Sequence, residues 1–145
     1  VMLDAKNGNR AEVTVETWIK GDAAQVELTV ADETKVVDDA IGEHVVIARR
    51  SGEQWFAGAI TNDDGRILPV STDFLEAGKD YVLRVYTDDP ASDSPTKVKC
   101  ARYIVKGGQA LTFNLQPKGG AAMHFIPATQ ADVKAYKRLK TKAVL

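Results

Sequence analysis

The chain has 145 residues, 44% hydrophobic and 27% charged, with a formal net charge of −1 at pH 7. That balance belongs to an ordinary globular domain able to bury roughly two-thirds of its unfolded surface, and it provides no global field to attract nucleic acid or an anionic membrane. The single cysteine, Cys100, excludes an internal disulfide framework.

No apolar run approaches the roughly 20 residues that span a bilayer. The opening VMLDAKNGNR has no hydrophobic region of the secretory kind. A chain starting at Val1 is expected to be processed, trimmed or cut from something longer, which leaves the compartment open.

The dominant period along the chain is two. Ala11–Trp18 alternates through Val13 and Val15, and Gln25–Val30 through Val26, Leu28 and Val30. With the Gly21-Asp22 turn signal between them, these runs predict a hairpin. His44–Arg50 and Gln54–Thr61 predict a second hairpin around Ser51-Gly52. Asn62–Gly65 is a turn by composition, since Asn and Asp tolerate left-handed backbone and Gly adopts it freely. Arg66–Ser71, Tyr81–Thr87, Thr96–Val105, Ala110–Leu115 and Ala121–Ile126 follow as strands, with Asp88–Pro95 the most loop-like stretch. About eight or nine short strands with turn signals every 8–12 residues predict an all-β fold, an antiparallel sandwich. Thr129 can cap a helix over Gln130–Lys140, with Val133, Tyr136 and Leu139 on one face and Lys134, Lys137, Arg138 and Lys140 elsewhere. The predicted organisation is thus a β-hairpin segment over residues 1–31, a sandwich over 32–127 and a basic amphipathic helix or tail over 128–145. The helix is expected to pack on its own domain or on a neighbour.

An inventory of reactive groups argues against catalysis. The histidines are His44 and His124, both at strand positions. One cysteine excludes a zinc site built on several thiolates. A Cys–His dyad from Cys100 is formally open, but mid-strand Cys100 reads as a small buried hydrophobe. The acidic pairs Asp32-Glu33, Asp38-Asp39, Asp63-Asp64 and Asp88-Asp89 are consecutive in sequence, and neighbours on an extended chain point apart. They do not make the facing carboxylates of a glycosidase, and solvated turns explain most of them. Asp88–Asp93 offers hard oxygens for weak calcium binding without EF-hand spacing. No GxxxxGK[ST] or GxGxxG occurs, and Gly107-Gly108 and Gly119-Gly120 read as turns. By alternation Trp55 and Phe56 face opposite ways, so at most one of them can join a sugar-stacking platform; the aromatics otherwise read as core. No catalytic, cofactor or metal residue is assigned.

One series of motifs is specific by its order: Asp32-Glu33-Thr34, Ile41-Gly42-Glu43, Ile47-Ala48-Arg49-Arg50, Trp55-Phe56-Ala57-Gly58, Asp73-Phe74-Leu75 and Gly119-Gly120-Ala121-Ala122. Over residues 32–127 this series resembles the C-terminal β-sandwich domain of glycoside hydrolase family 97, although Ala31 stands where that family carries a tryptophan. The resemblance implies a bacterial parent enzyme of the α-glucosidase or α-galactosidase kind, periplasmic or secreted, with a central (β/α)8 barrel. Catalytic residues and calcium ligands then lie in the earlier domains, because a barrel takes about 250 residues and cannot fit here. The chain itself is expected to be a non-catalytic accessory domain that stabilises or docks the barrel of its own chain or of a neighbouring subunit. The alternative is a stand-alone carbohydrate-binding module; an interaction sandwich unrelated to sugars is a third reading. Arg49 and Arg50 alternate to opposite faces of their strand, Arg50 with Val46 and Ala48 and Arg49 with Val45 and Ile47, so one of the two is expected to emerge near a core face at the strand end, to stack on Trp55 or pair with a carboxylate.

Overall fold

The computed structural model describes residues 32–145 and, before them, the backbone of three strands, β1 Met2–Asp4, β2 Glu12–Ile19 and β3 Asp22–Thr29. β2 and β3 pair antiparallel from Glu12↔Thr29 to Ile19↔Asp22, the hairpin that alternation predicts, and β1 adds to β2. Gly21, the glycine of the expected turn, lies outside the described residues.

Eight further strands build the sandwich: β4 Glu33–Ala40, β5 His44–Ser51, β6 Gln54–Thr61, β7 Arg66–Val70, β8 Asp80–Asp88, β9 Val98–Lys106, β10 Leu111–Leu115 and β11 Gly120–Pro127. Six form an antiparallel sheet in the order β4-β5-β6-β11-β8-β9, and β7 pairs with β10 in a small second sheet. The period-two pattern decides which side chains go inside. In β6 burial alternates strictly, with Trp55, Ala57, Ala59 and Thr61 inward and Phe56, Gly58 and Ile60 outward. Leu68, Val70, Leu111 and Phe113 of the small sheet join one core with Val46, Ala48, Leu83, Met123 and Phe125 of the large one. Burying Phe113 and Phe125 completely contributes about 1.5–3 kcal/mol each. The all-β antiparallel sandwich is therefore the observed architecture.

Alternation does not predict β4. Its sequence ETKVVDDA does not alternate cleanly, because a bulge between Val36 and Asp38 shifts the pairing with β5 and moves the following residues to the opposite faces. As an edge strand with Lys35 and Asp39 exposed, it has the composition that blunts an edge.

The C-terminal segment corrects the expected helix. Thr129 does cap it, with its hydroxyl accepting from Asp132 N–H and the Asp132 carboxylate accepting from Thr129 N–H. Yet α1 covers only Gln130–Ala135. From Tyr136 the backbone is extended: Ile104 N–H donates to Lys137 C=O, and Leu139 N–H donates to Ile104 C=O. The end of the tail then meets β10, where Asn114 N–H donates to Leu145 C=O and Leu145 N–H donates to Thr112 C=O. The tail thus links the outer edge of the large sheet to an edge of the small one. Leu139 is buried in the core rather than lying on a helical stripe. Pairing with free sheet edges outweighs a helix too short to hold itself.

Candidate interaction surface

The stretch joining β5 to β6 places the two arginines on opposite faces. Arg50, on the core side, donates from Nε to Glu33 at 3.3 Å and lies 3.7 Å from the Asp32 carboxylate. Asp32 in turn accepts Gly52 N–H at 2.7 Å, fixing the turn where φ is +60° at Gly52. The cation over the Trp55 ring is Lys35, with Nζ 5.5 Å from the centroid, so Arg50 takes the carboxylate option. Trp55 is buried against Phe74, whose ring meets Phe125 edge-on. These residues are scaffold.

The polar residues singled out from sequence are structural as well. His44 Nε2 lies 3.0 Å from Asp38, and Arg66 approaches Nδ1 at 3.3 Å, a pairing that puts the ring proton on Nε2. Arg66, unremarkable in sequence, also donates to Thr61 Oγ1, Glu43 and Asn62 Oδ1, tying β5, β6 and the start of β7 together. Asp88 Oδ2 accepts Gly120 N–H at 2.9 Å, tying the end of β8 to the start of β11. Among the described residues no group of three or more His, Cys, Asp and Glu side chains converges. Cys100 is exposed, not buried. In β9 the outward set is Val98, Cys100, Arg102 and Ile104, and of these only Ile104 is covered.

What the strands do assemble is the outward face of the large sheet. α1 packs against β8, and at that end Val82 and Ile104 are buried although they point outward. Beyond them the face is open and ordered in three cross-strand rows. The first runs Arg49, Phe56, His124, Arg84, Arg102, with the Phe56 and His124 rings stacked at 4.2 Å. The second runs Val36, Ile47, Gly58, Ala122, Tyr86, Cys100. The third contains Asp39, Val45, Ile60, Asp88 and Val98. Phe56 is 45% and Ile60 60% exposed, and Ile41, in the turn beside the third row, is 100% exposed. A shallow depression of about 350 Å³ lies over Val45, Ile47, Phe56, Gly58 and Ile60. Among the described residues none of Arg49, Arg84 and Arg102 forms an ion pair, and Arg84 Nε is buried without a hydrogen-bond partner. Burial, then the nearby Arg84 charge, lower the pKa of His124 from 6.5. An apolar strip bordered by arginines on one side and carboxylates on the other is the composition of a protein interface, not of a reaction centre.

A family model described as "Glycosyl-hydrolase 97 C-terminal, oligomerisation" matches residues 30–126. The chain belongs to this family. A retaining α-galactosidase of Bacteroides thetaiotaomicron is 35% identical over 96 residues, covering 66% of this chain and 14% of that enzyme. A glycoside hydrolase family 97 enzyme of a Pseudoalteromonas species, solved with acarbose, aligns with a TM-score of 0.63 at 27% identity over 70% of this chain and 17% of its own. A β-arabinopyranosidase crystal structure aligns with a TM-score of 0.53 at 29% identity, covering 66% of this chain and 14% of its own. The chain thus spans about a sixth of the relatives it matches, and the part shared is their non-catalytic C-terminal domain. The family 97 sandwich expected from the motif series is the observed one, an accessory domain rather than a catalyst.

The sequence points to the family through the ordered motif series from Asp32-Glu33-Thr34 to Gly119-Gly120-Ala121-Ala122, each motif contiguous in the chain. It did not reveal the open face, because residues such as Arg49, Arg84 and Arg102 become neighbours only through strand register.

Proposed function

We propose that this domain serves a glycoside hydrolase as its assembly module: it associates subunits and steadies a catalytic (β/α)8 barrel without contributing to the chemistry. The parent enzyme acts on α-glucosides or α-galactosides in the bacterial periplasm or outside the cell, with any calcium held by its earlier domains. The observation that carries this reading is the open apolar face of the large sheet, where Phe56, Ile60 and Val36 stand exposed beside Arg49, Arg84 and Arg102. Soluble domains seldom leave such a patch uncovered.

An immunoblot of native cell extract with antibody against this domain is the first test. A band several times the 15.7 kDa of this chain is expected. A band at that mass would mean a free-standing protein and would favour the second reading, a carbohydrate-binding module. That reading draws on exposed Phe56 and Tyr86, which flank the small residues Gly58 and Ala122 on the same face. Titration with malto- and galacto-oligosaccharides, followed by calorimetry, is expected to give no heat of binding.

A further inference from the structure

We propose that the open face of the large sheet is a self-complementary dimer surface, its two-fold axis lying along the middle row, across the strands. This rests on the oligomerisation reading above and specifies the surface and the symmetry. The face is polarised along the strand direction: Arg49, Arg84 and Arg102 lie in the first row, Asp39 and Asp88 in the third. A C₂ contact presents the same patch twice, so each residue must suit its symmetry mate. An axis parallel to the strands lays the first row on itself and opposes Arg49 to Arg102. An axis along the middle row lays the first row on the partner's third row. Arg84 then meets Asp88 of the second copy, Arg49 meets the Val45–Asp39 pair, and Phe56 meets Ile60. Each pairing occurs twice. The strands of the two copies remain aligned, as in sheets packed about 10 Å apart. Small Gly58 and Ala122 at the centre let the sheets approach, and a Cβ built on Gly58 meets nothing within 4 Å of its own chain.

The symmetry makes a further demand on the single cysteine. Cys100 lies in the middle row, so it faces Cys100 of the second copy across the axis. With the axis parallel to the strands, it faces β5 instead, and the two sulfurs are displaced by about 19 Å, four strand spacings.

The test is sedimentation velocity of the full chain over a concentration series, with variants checked for folding by circular dichroism. Wild type is expected to dimerise. Ala122→Glu stacks like charges on the axis and is expected to weaken the dimer at least about tenfold. Arg49→Asp and Asp39→Arg are each expected to weaken it as well, and the double charge swap to recover it. Ile67→Glu, on the outward side of β7 at the opposite face of the sandwich, is expected to leave it unchanged. A bis-maleimide spanning roughly 10 Å, the spacing of packed sheets, is expected to join two wild-type chains through Cys100. If Ala122→Glu fails to fold, the exposed Arg49 and Asp39 variants decide alone. A dimer that ignores these substitutions, or that resists the cross-linker, overturns the face while leaving oligomerisation standing. A strict monomer at every concentration overturns both, and leaves the parent's catalytic region as the occupant of this face.

Discussion

Trp55 fills the space between the β5–β6 hairpin and Phe74, so its loss leaves a cavity rather than a lost ligand contact. Trp55→Ala is expected to cost about 3–5 kcal/mol, read from urea unfolding. Gly107 is constrained differently: a Cβ there would lie 2.0 Å from the Glu76 carbonyl oxygen. Gly107→Ala therefore pushes backbone against backbone and is expected to destabilise by about 1–3 kcal/mol on the same measurement. His124 titrates against the fold. Because burial and Arg84 lower its pKa below 6.5, the unfolded chain takes up the proton first as pH falls. The stability contribution is present above about pH 6.5 and disappears as pH drops through the folded-state value. Urea midpoints from pH 7 down to 5 are expected to fall less steeply in His124→Gln than in wild type.

The tail is the element whose behaviour departs most from its local pattern. Its Val133, Tyr136 and Leu139 spacing suits a helix, but the backbone after Ala135 finds better partners on two sheet edges. Arg138 locks this arrangement, donating two hydrogen bonds of 2.8 and 2.7 Å to the two oxygens of Asp80. Arg138, then Lys106, draws the Asp80 pKa down from 3.8 to about 2. The depressed value means that this contribution is full above about pH 4 and is lost as pH falls toward 2. Since Arg138 is half exposed and solvent screens the pair, Arg138→Ala is expected to lower stability only slightly at pH 7. Its difference from wild type should narrow below pH 4 in acid–urea titrations. Leu139→Ala removes a buried side chain from the core and is expected to cost about 2–5 kcal/mol. A larger effect than that of Arg138→Ala would place the hold of the tail in packing rather than in its ion pair.

The whole molecule divides its work between the two faces of one sheet. The inward face carries alternating apolar side chains and closes against β7 and β10, so it is complete within the chain. The outward face is half closed by the α1 end and otherwise open, with charge polarised along the strands. A face of this design suits the assembly role proposed above. The sedimentation and cross-linking experiments above therefore carry the functional question, and kinetics on this chain do not.

Much of this was legible before any coordinates. Strict alternation in β6 already separates Trp55 from Phe56, and the six short motifs between Asp32 and Ala122 carry the family, because both signals are local and contiguous. Alternation also fixes that Cys100 and Ala101 oppose each other in β9, but not which of them faces the core. A mid-strand position predicts a buried Cys100, but it is exposed, because among the described residues no second layer covers that part of the outward face. The same limit applies to β4, where one bulge exchanges inside for outside, and to the tail, whose extended form exists only because two edges were left unpaired. Period and turn chemistry act between neighbours in the chain, so a sequence displays them. Register, edge pairing and the joining of Arg49, Arg84 and Arg102 into one charged row act between strands far apart in the chain, and only the assembled sheet decides them.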